Sequence, residues 1–105
     1  MDFSDVIDAL KYVSSVAKES EYLKCVEDIR QSGLETLRVE ASARREKQSA
    51  AIKALHSFDI EMVKLRVILG LAKQNRTESE STALENCISD LEKQRARLVQ
   101  DKRSV

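Results

Sequence analysis

The sequence predicts an all-α protein: an elongated helical hairpin, a three-helix bundle or a coiled coil. Three observations carry this. Pro is absent and Gly occurs only at Gly33 and Gly70; aromatics make up 4% of the 105 residues with no Trp, against 34% charged and 42% apolar; and a heptad run extends from Leu34 to Ala72. A β-sandwich or barrel needs frequent turn residues and many β-branched and aromatic side chains, so those classes fall, with collagen-like and Pro-rich ones. Disorder is opposed by the apolar content and a formal net charge of zero. The length suits one domain.

Gly33 and the polar run from Asn75 to Thr82 are the strongest interruptions. They predict helices over about 3–31, 34–75 and 78–103, which at roughly 1.5 Å per residue are rods near 45, 60 and 35 Å long. The first opens with Asp2 as N-cap and Met1 reaching Val6 as a hydrophobic staple. Phe3, Val6, Ile7, Leu10, Val13 and Ala17 follow at helical spacing, and Tyr22, Leu23, Val26 and Ile29 resume in a shifted phase. The shift predicts a kink or short break near Ser20. Gln31-Ser32-Gly33 reads as a helix stop, because Gly adopts the left-handed C′ conformation without strain.

The second segment carries the clearest pattern. Leu34, Leu37, Ala41, Arg44, Gln48, Ala51, Leu55, Phe58, Met62, Leu65, Leu69 and Ala72 alternate at 3 and 4 residues, and ten of these twelve are apolar. Arg38 to Ser49 is largely polar. Farther on, Ile60, Val63 and Val67 add a second stripe away from this seam and Ile68 widens the first, which places the main core at Ile52 to Leu71. A helix apolar on two sides needs neighbours on two sides.

In the third segment, Thr77-Glu78-Ser79-Glu80 fits a capping box. Leu84, Ile88, Leu91 and Leu98 follow on one seam, with Arg95 in the missing place and Ala83, Cys87 and Val99 broadening the face. Acids precede bases along it, in the order that complements a helix dipole. By segment, residues 1–33 hold seven acids and four bases (−3), 34–76 five and nine (+4), and 77–105 six and five (−1). The first two segments are therefore charge-complementary, and short connections favour antiparallel neighbours.

Several chemistries find no support. Charge-free runs such as Tyr12 to Ala17 and Val67 to Ala72 fall far short of the roughly 18 residues of a membrane span. Met1-Asp2 opens acidic, unlike a signal peptide, so the expectation is a soluble intracellular protein, cytoplasmic or nuclear. Cys25 and Cys87 are read as reduced thiols on or beside apolar faces. His56 is the sole histidine, and its weak partner Asp59 makes no site. No metal motif, phosphate loop or nucleophile elbow occurs, so no enzyme activity, cofactor, metal or small-molecule ligand is expected. The basic cluster Arg44, Arg45 and Lys47, and the bases from Lys93 to Arg103, are interleaved with or follow acids and lack stacking aromatics, so neither nucleic acid nor membrane is expected as a partner. Gly70 interrupts the second helix at about 1 kcal/mol relative to Ala. It either admits a close neighbour or marks fraying.

The short amphipathic helix starting Phe3-Ser4-Asp5-Val6, a break, a charged helix through Val26-Glu27-Asp28-Ile29 and then the long heptad helix resemble, over residues 3 to 70, a rod subunit of the outer-kinetochore microtubule-attachment complex. That subunit belongs to the heterodimer anchoring the rod to the inner kinetochore. Members of that family end in a small α/β head carrying the anchoring surface, and nothing like it precedes Val105. The resemblance thus implies a coiled-coil portion that holds partner subunits at the kinetochore during cell division. From the residues themselves the expectation is a non-enzymatic assembly or scaffold subunit, homo- or hetero-oligomeric. It would bind partner helices through Leu55, Phe58, Met62, Leu65 and Leu69 with Leu84, Ile88 and Leu91, and Arg44 and Gln48 would set register. The alternative is a self-contained monomeric three-helix bundle serving as an adaptor or effector.

Overall fold

The structure, a computed structural model, describes residues 3–14, 18–46 and 48–103; the side chains of 39–46, 48–54 and 98–103 lie outside that description. Four helices follow one another: α1 (Phe3–Val13), α2 (Glu19–Glu46), α3 (Gln48–Asn75) and α4 (Glu78–Arg103). The all-α bundle expected from the sequence is thereby found, with no strand among the described residues.

Length fixes how the helices lie. Both α2 and α3 have 28 residues, about 42 Å each, yet the longest extent of the molecule is 44 Å. They therefore lie side by side. Ion pairs give the other directions. Asp59, Arg66 and Lys73 of α3 meet Arg95, Glu92 and Glu85 of α4 in reversed order, so that pair is antiparallel. Arg30 with Asp90, and the Cys87 thiol donating to the Val26 carbonyl at 3.7 Å, run in the same order, so α2 and α4 are parallel. α1 lies along α3: Phe3 stacks on Phe58 at 5.4 Å, and Arg76 donates to the Ser14 carbonyl. α1 and α4 flank the α2–α3 pair on opposite sides. The radius of gyration, 14.5 Å, exceeds the roughly 13 Å of a compact chain this long.

Two boundaries differ from the sequence reading: the one at Gly33 is absent and one between Glu46 and Gln48 is new, while the break expected near Ser20 is complete and makes the fourth helix. α2 runs through Gly33 without interruption, and Gly33 has no positive φ. Its role is close approach: a Cβ there would lie 2.6 Å and 2.9 Å from the Leu91 δ-carbons and 3.1 Å from Phe3 Cε1. Tyr22, Val26, Ile29, Gly33 and Leu37 share one face, and Gly33 is the gap into which Leu91 and Phe3 fit. The single helix expected over 34–75 is instead divided between Glu46 and Gln48. Division in the polar stretch lets the seam of α3 be buried against α2, whereas a continuous 42-residue rod would leave it bare. The break expected near Ser20 falls between Val13 and Glu19, where Ser14 closes α1 by donating from both its amide and its hydroxyl to the Leu10 carbonyl. The Asp2 cap, the Met1 staple and the side chains of Ala41, Arg44, Arg45, Lys47, Gln48, Ala51, Ile52 and Leu98 lie outside the described residues.

The core joins all four helices. Phe3, Val6, Ile7 and Leu10 of α1 are buried with Tyr22, Val26, Ile29 and Leu37 of α2, Leu55, Phe58, Met62, Leu65, Ile68 and Ala72 of α3, and Leu84, Cys87, Ile88 and Leu91 of α4. The capping box of α4 is present: the Thr77 amide donates to Glu80 Oε1 at 3.1 Å, and the Glu80 amide donates to Thr77 Oγ1 at 3.2 Å. Such a cap stabilises by about 1 kcal/mol.

Candidate functional site on the outer face of α3

α3 has two apolar faces with opposite fates. Its heptad seam points inward, and Phe58 and Leu65 are almost wholly enclosed. About half a turn around the helix, Ile60, Val63, Val67 and Leu71 are 46%, 61%, 62% and 49% exposed. Their spacing, i, i+3, i+7 and i+11, makes one stripe along two to three turns. Among the described residues, none of these four side chains belongs to the buried core. Ile60, Val63 and Val67 are β-branched and indifferent helix formers, so helix propensity gives no reason for these three.

α1 turns this stripe into one wall of a groove. Ile7, Asp8 and Lys11 form the α1 wall opposite Val63, Lys64, Val67, Ile68 and Leu71, around an open volume of about 330 Å³. A second depression of about 490 Å³ shares Lys11 and Leu71 and reaches Ser14, Asn75 and Arg76. The groove exists because α1 is amphipathic and short: its buried stripe seats it on α2 and α3, while Lys11 stays at the rim.

The far end of the groove is held by Arg76. Its guanidinium bonds Glu80, lies 4.5 Å over the Tyr22 ring and donates to the Ser14 carbonyl at 3.4 Å, so it ties together the ends of α1 and α3 and the starts of α2 and α4. Burial pushes the Glu80 carboxyl up, but hydrogen bonds from Arg76 and Thr77 outweigh it and hold the group below its ordinary range. Burial raises the Tyr22 phenol, against the opposing pull of Arg76. These contacts make a structural joint, rigid at the place where the groove ends.

The residues expected to bind a partner lie elsewhere. Leu55, Phe58, Met62, Leu65, Leu84, Ile88 and Leu91 are buried, and Leu69 is packed against them half-buried. They face one another within the chain, so the surface they were expected to offer is already filled by α1, α2 and α4. Among the described residues, the second stripe, with Leu71 placed outside the core, is the exposed apolar face of α3. Leu71 and the wall from α1 were missed. Leu71 sits four residues beyond Val67 in a charge-free run, a spacing that signals the extension; no sequence signal places α1 beside it.

Other candidates have ordinary surroundings. Asp59 accepts two hydrogen bonds from Arg95, at 2.6 Å and 2.8 Å, and His56 is exposed. Cys25 and Cys87 are free thiols. Burial, with Glu27 nearby, drives the Cys87 thiol up to about 12, which removes its thiolate reactivity at neutral pH; burial and then Asp28 raise Cys25. Among the described residues no cluster of three or more His, Cys, Asp or Glu converges, and no helix is long and apolar enough to cross a membrane. Compared with protein-family models, curated proteins and solved structures, the chain matches none.

Proposed function

We propose that the chain is a non-enzymatic helical interaction module that seats a partner helix on the outer face of α3, along the groove bounded by α1. One observation carries the reading: four large apolar side chains at helical spacing stand exposed on a helix whose other face is already occupied by its own core. Helix-in-groove recognition uses this arrangement, with anchors at i, i+3 or i+4 and i+7 on the incoming helix. A rod assembly such as the kinetochore complex the sequence resembles is one setting for such a face.

A photo-reactive residue placed at Val67 of the full chain, in the cells that make it, tests the reading. The expected result is a covalent adduct to a helical segment that disappears on Val63→Glu and does not form when the same group replaces exposed Lys18. Adducts from both positions, or from neither, would overturn it. The self-contained monomeric bundle is the second reading, favoured by the internal burial of the seam; it requires the outer face to be idle.

A further inference from the structure

We propose that the occupant of the α3 face is a second copy of this chain, packed antiparallel about a two-fold axis at the level of Leu65. This rests on the reading of that face as a helix-binding surface and adds the identity of the helix.

One line of exposed residues along α3 runs His56, Ile60, Val63, Val67, Gly70 and Gln74, at intervals of 4, 3, 4, 3 and 4, with Leu71 on its α1 side. That pattern is a coiled-coil seam, and it is symmetric about position 65. Antiparallel pairing with itself sets Val63 against the second copy's Val67, Ile60 against its Gly70, and His56 against its Gln74. Apolar layers therefore meet apolar layers, and the two polar ends meet each other. An isologous contact needs this self-complementarity.

Gly70 supplies the second argument. A Cβ built there meets nothing within 4 Å, so among the described residues no neighbour calls for glycine, unlike Gly33. Nor does Gly70 mark fraying, since α3 continues to Asn75. Opposite the second copy's Ile60, however, the missing side chain is a hole for a large knob.

Charge agrees. On the α4 flank, Asp59, Arg66 and Lys73 are each paired with a residue of α4. On the α1 flank, the axis brings the two Lys64 side chains together, but each is bonded to Glu61 at 3.1 Å, and Asp8 lines the opposite wall of the same groove. The rims are thus balanced, which gives no purchase to a strongly acidic or basic partner. A chain of zero net charge does not repel its own copy. The apolar layers run only from Ile60 to Gly70, about three turns of each α3, so the dimer belongs to the small, weak class of interfaces and is dissolved by dilution.

The test uses the full chain in two parts. Light scattering across a dilution series should show monomer passing to dimer with rising concentration, and Val67→Glu should remain monomeric with unchanged helicity. In a Cys25→Ala background, equal amounts of Val63→Cys and Val67→Cys chains oxidised together should give mainly the mixed disulfide dimer. Predominance of disulfides between identical chains would overturn the antiparallel pairing. A monomer at every concentration would overturn the second copy as occupant; position-specific adducts from Val67 to another polypeptide would then leave the helix-binding reading standing, and their absence would remove both.

Discussion

The inner and outer faces of α3 are built from the same kinds of residue and have opposite surroundings. Inward, Leu65 is 0% exposed and stands among side chains from the other helices; outward, Val67, two residues later, is 62% exposed. Apolar character alone therefore separates neither core from surface nor fold from function. What separates them is whether the chain supplies a neighbour. Burying a leucine contributes on the order of 2 kcal/mol, and α1, α2 and α4 together deliver that to one face of α3 only.

The largest expected difference between the faces is their response to a carboxylate. Leu65→Asp places an unpaired charge where no water reaches, and changes of this kind cost about 4 kcal/mol or more. Domains of this size have total stabilities of roughly 5–15 kcal/mol, so the variant should be largely unfolded or melt far below the parent. Val67→Asp should keep the stability of the monomer to within about 0.5 kcal/mol, because its new charge faces solvent. Urea melts of both variants, taken at a concentration where the parent is monomeric, decide the matter. Similar losses in the two would mean that the outer face is covered within the chain after all.

A smaller contrast concerns Gly33. Alanine there gains about 1 kcal/mol of helix propensity, but its methyl would meet Leu91 at 2.6 Å and Phe3 at 3.1 Å. The Leu91 δ-carbons end a flexible side chain, yet Leu91 is fully enclosed, so it has little room to turn. Overpacking of this kind costs about 1–3 kcal/mol. The net expectation for Gly33→Ala is a loss near 1 kcal/mol, read as a lower urea midpoint at unchanged slope. A gain in stability would show that Leu91 moves aside freely.

Gly33 also shows how far the sequence could be read. The heptad seam of α3, the capping box at Thr77 and the shift of phase near Ser20 are local patterns, and each reappears in the structure because spacing of 3.6 residues needs no tertiary information. A glycine, by contrast, has two local meanings: it ends helices, or it lets another element come close. Only the position of Leu91, 58 residues away in the chain, selects the second. The division between α2 and α3 was illegible for a related reason, since a 3–4 spacing fits a hairpin as well as a rod. The seam residues Leu55 to Leu69 were legible as a helix-packing face, but their neighbours turned out to be the chain's own helices. The outer stripe at Ile60, Val63 and Val67 was visible as surplus, and surplus is where the candidate site lies.

Gly70 gives the smallest and most discriminating effect. With open space around the position, Gly70→Ala should stabilise the monomer by about 0.5–1 kcal/mol through helix propensity and a less disordered unfolded state. For a chain of this length that raises Tm by roughly 2–8 °C. The same methyl begins to fill the hole expected to receive the second copy's Ile60, so dimerisation should weaken while the monomer melts higher. These two readouts move in opposite directions only if glycine serves an encounter between chains. A variant that is more stable and equally dimeric would leave Gly70 without a part in the interface. One that is less stable would show that a neighbour within the chain already reaches it.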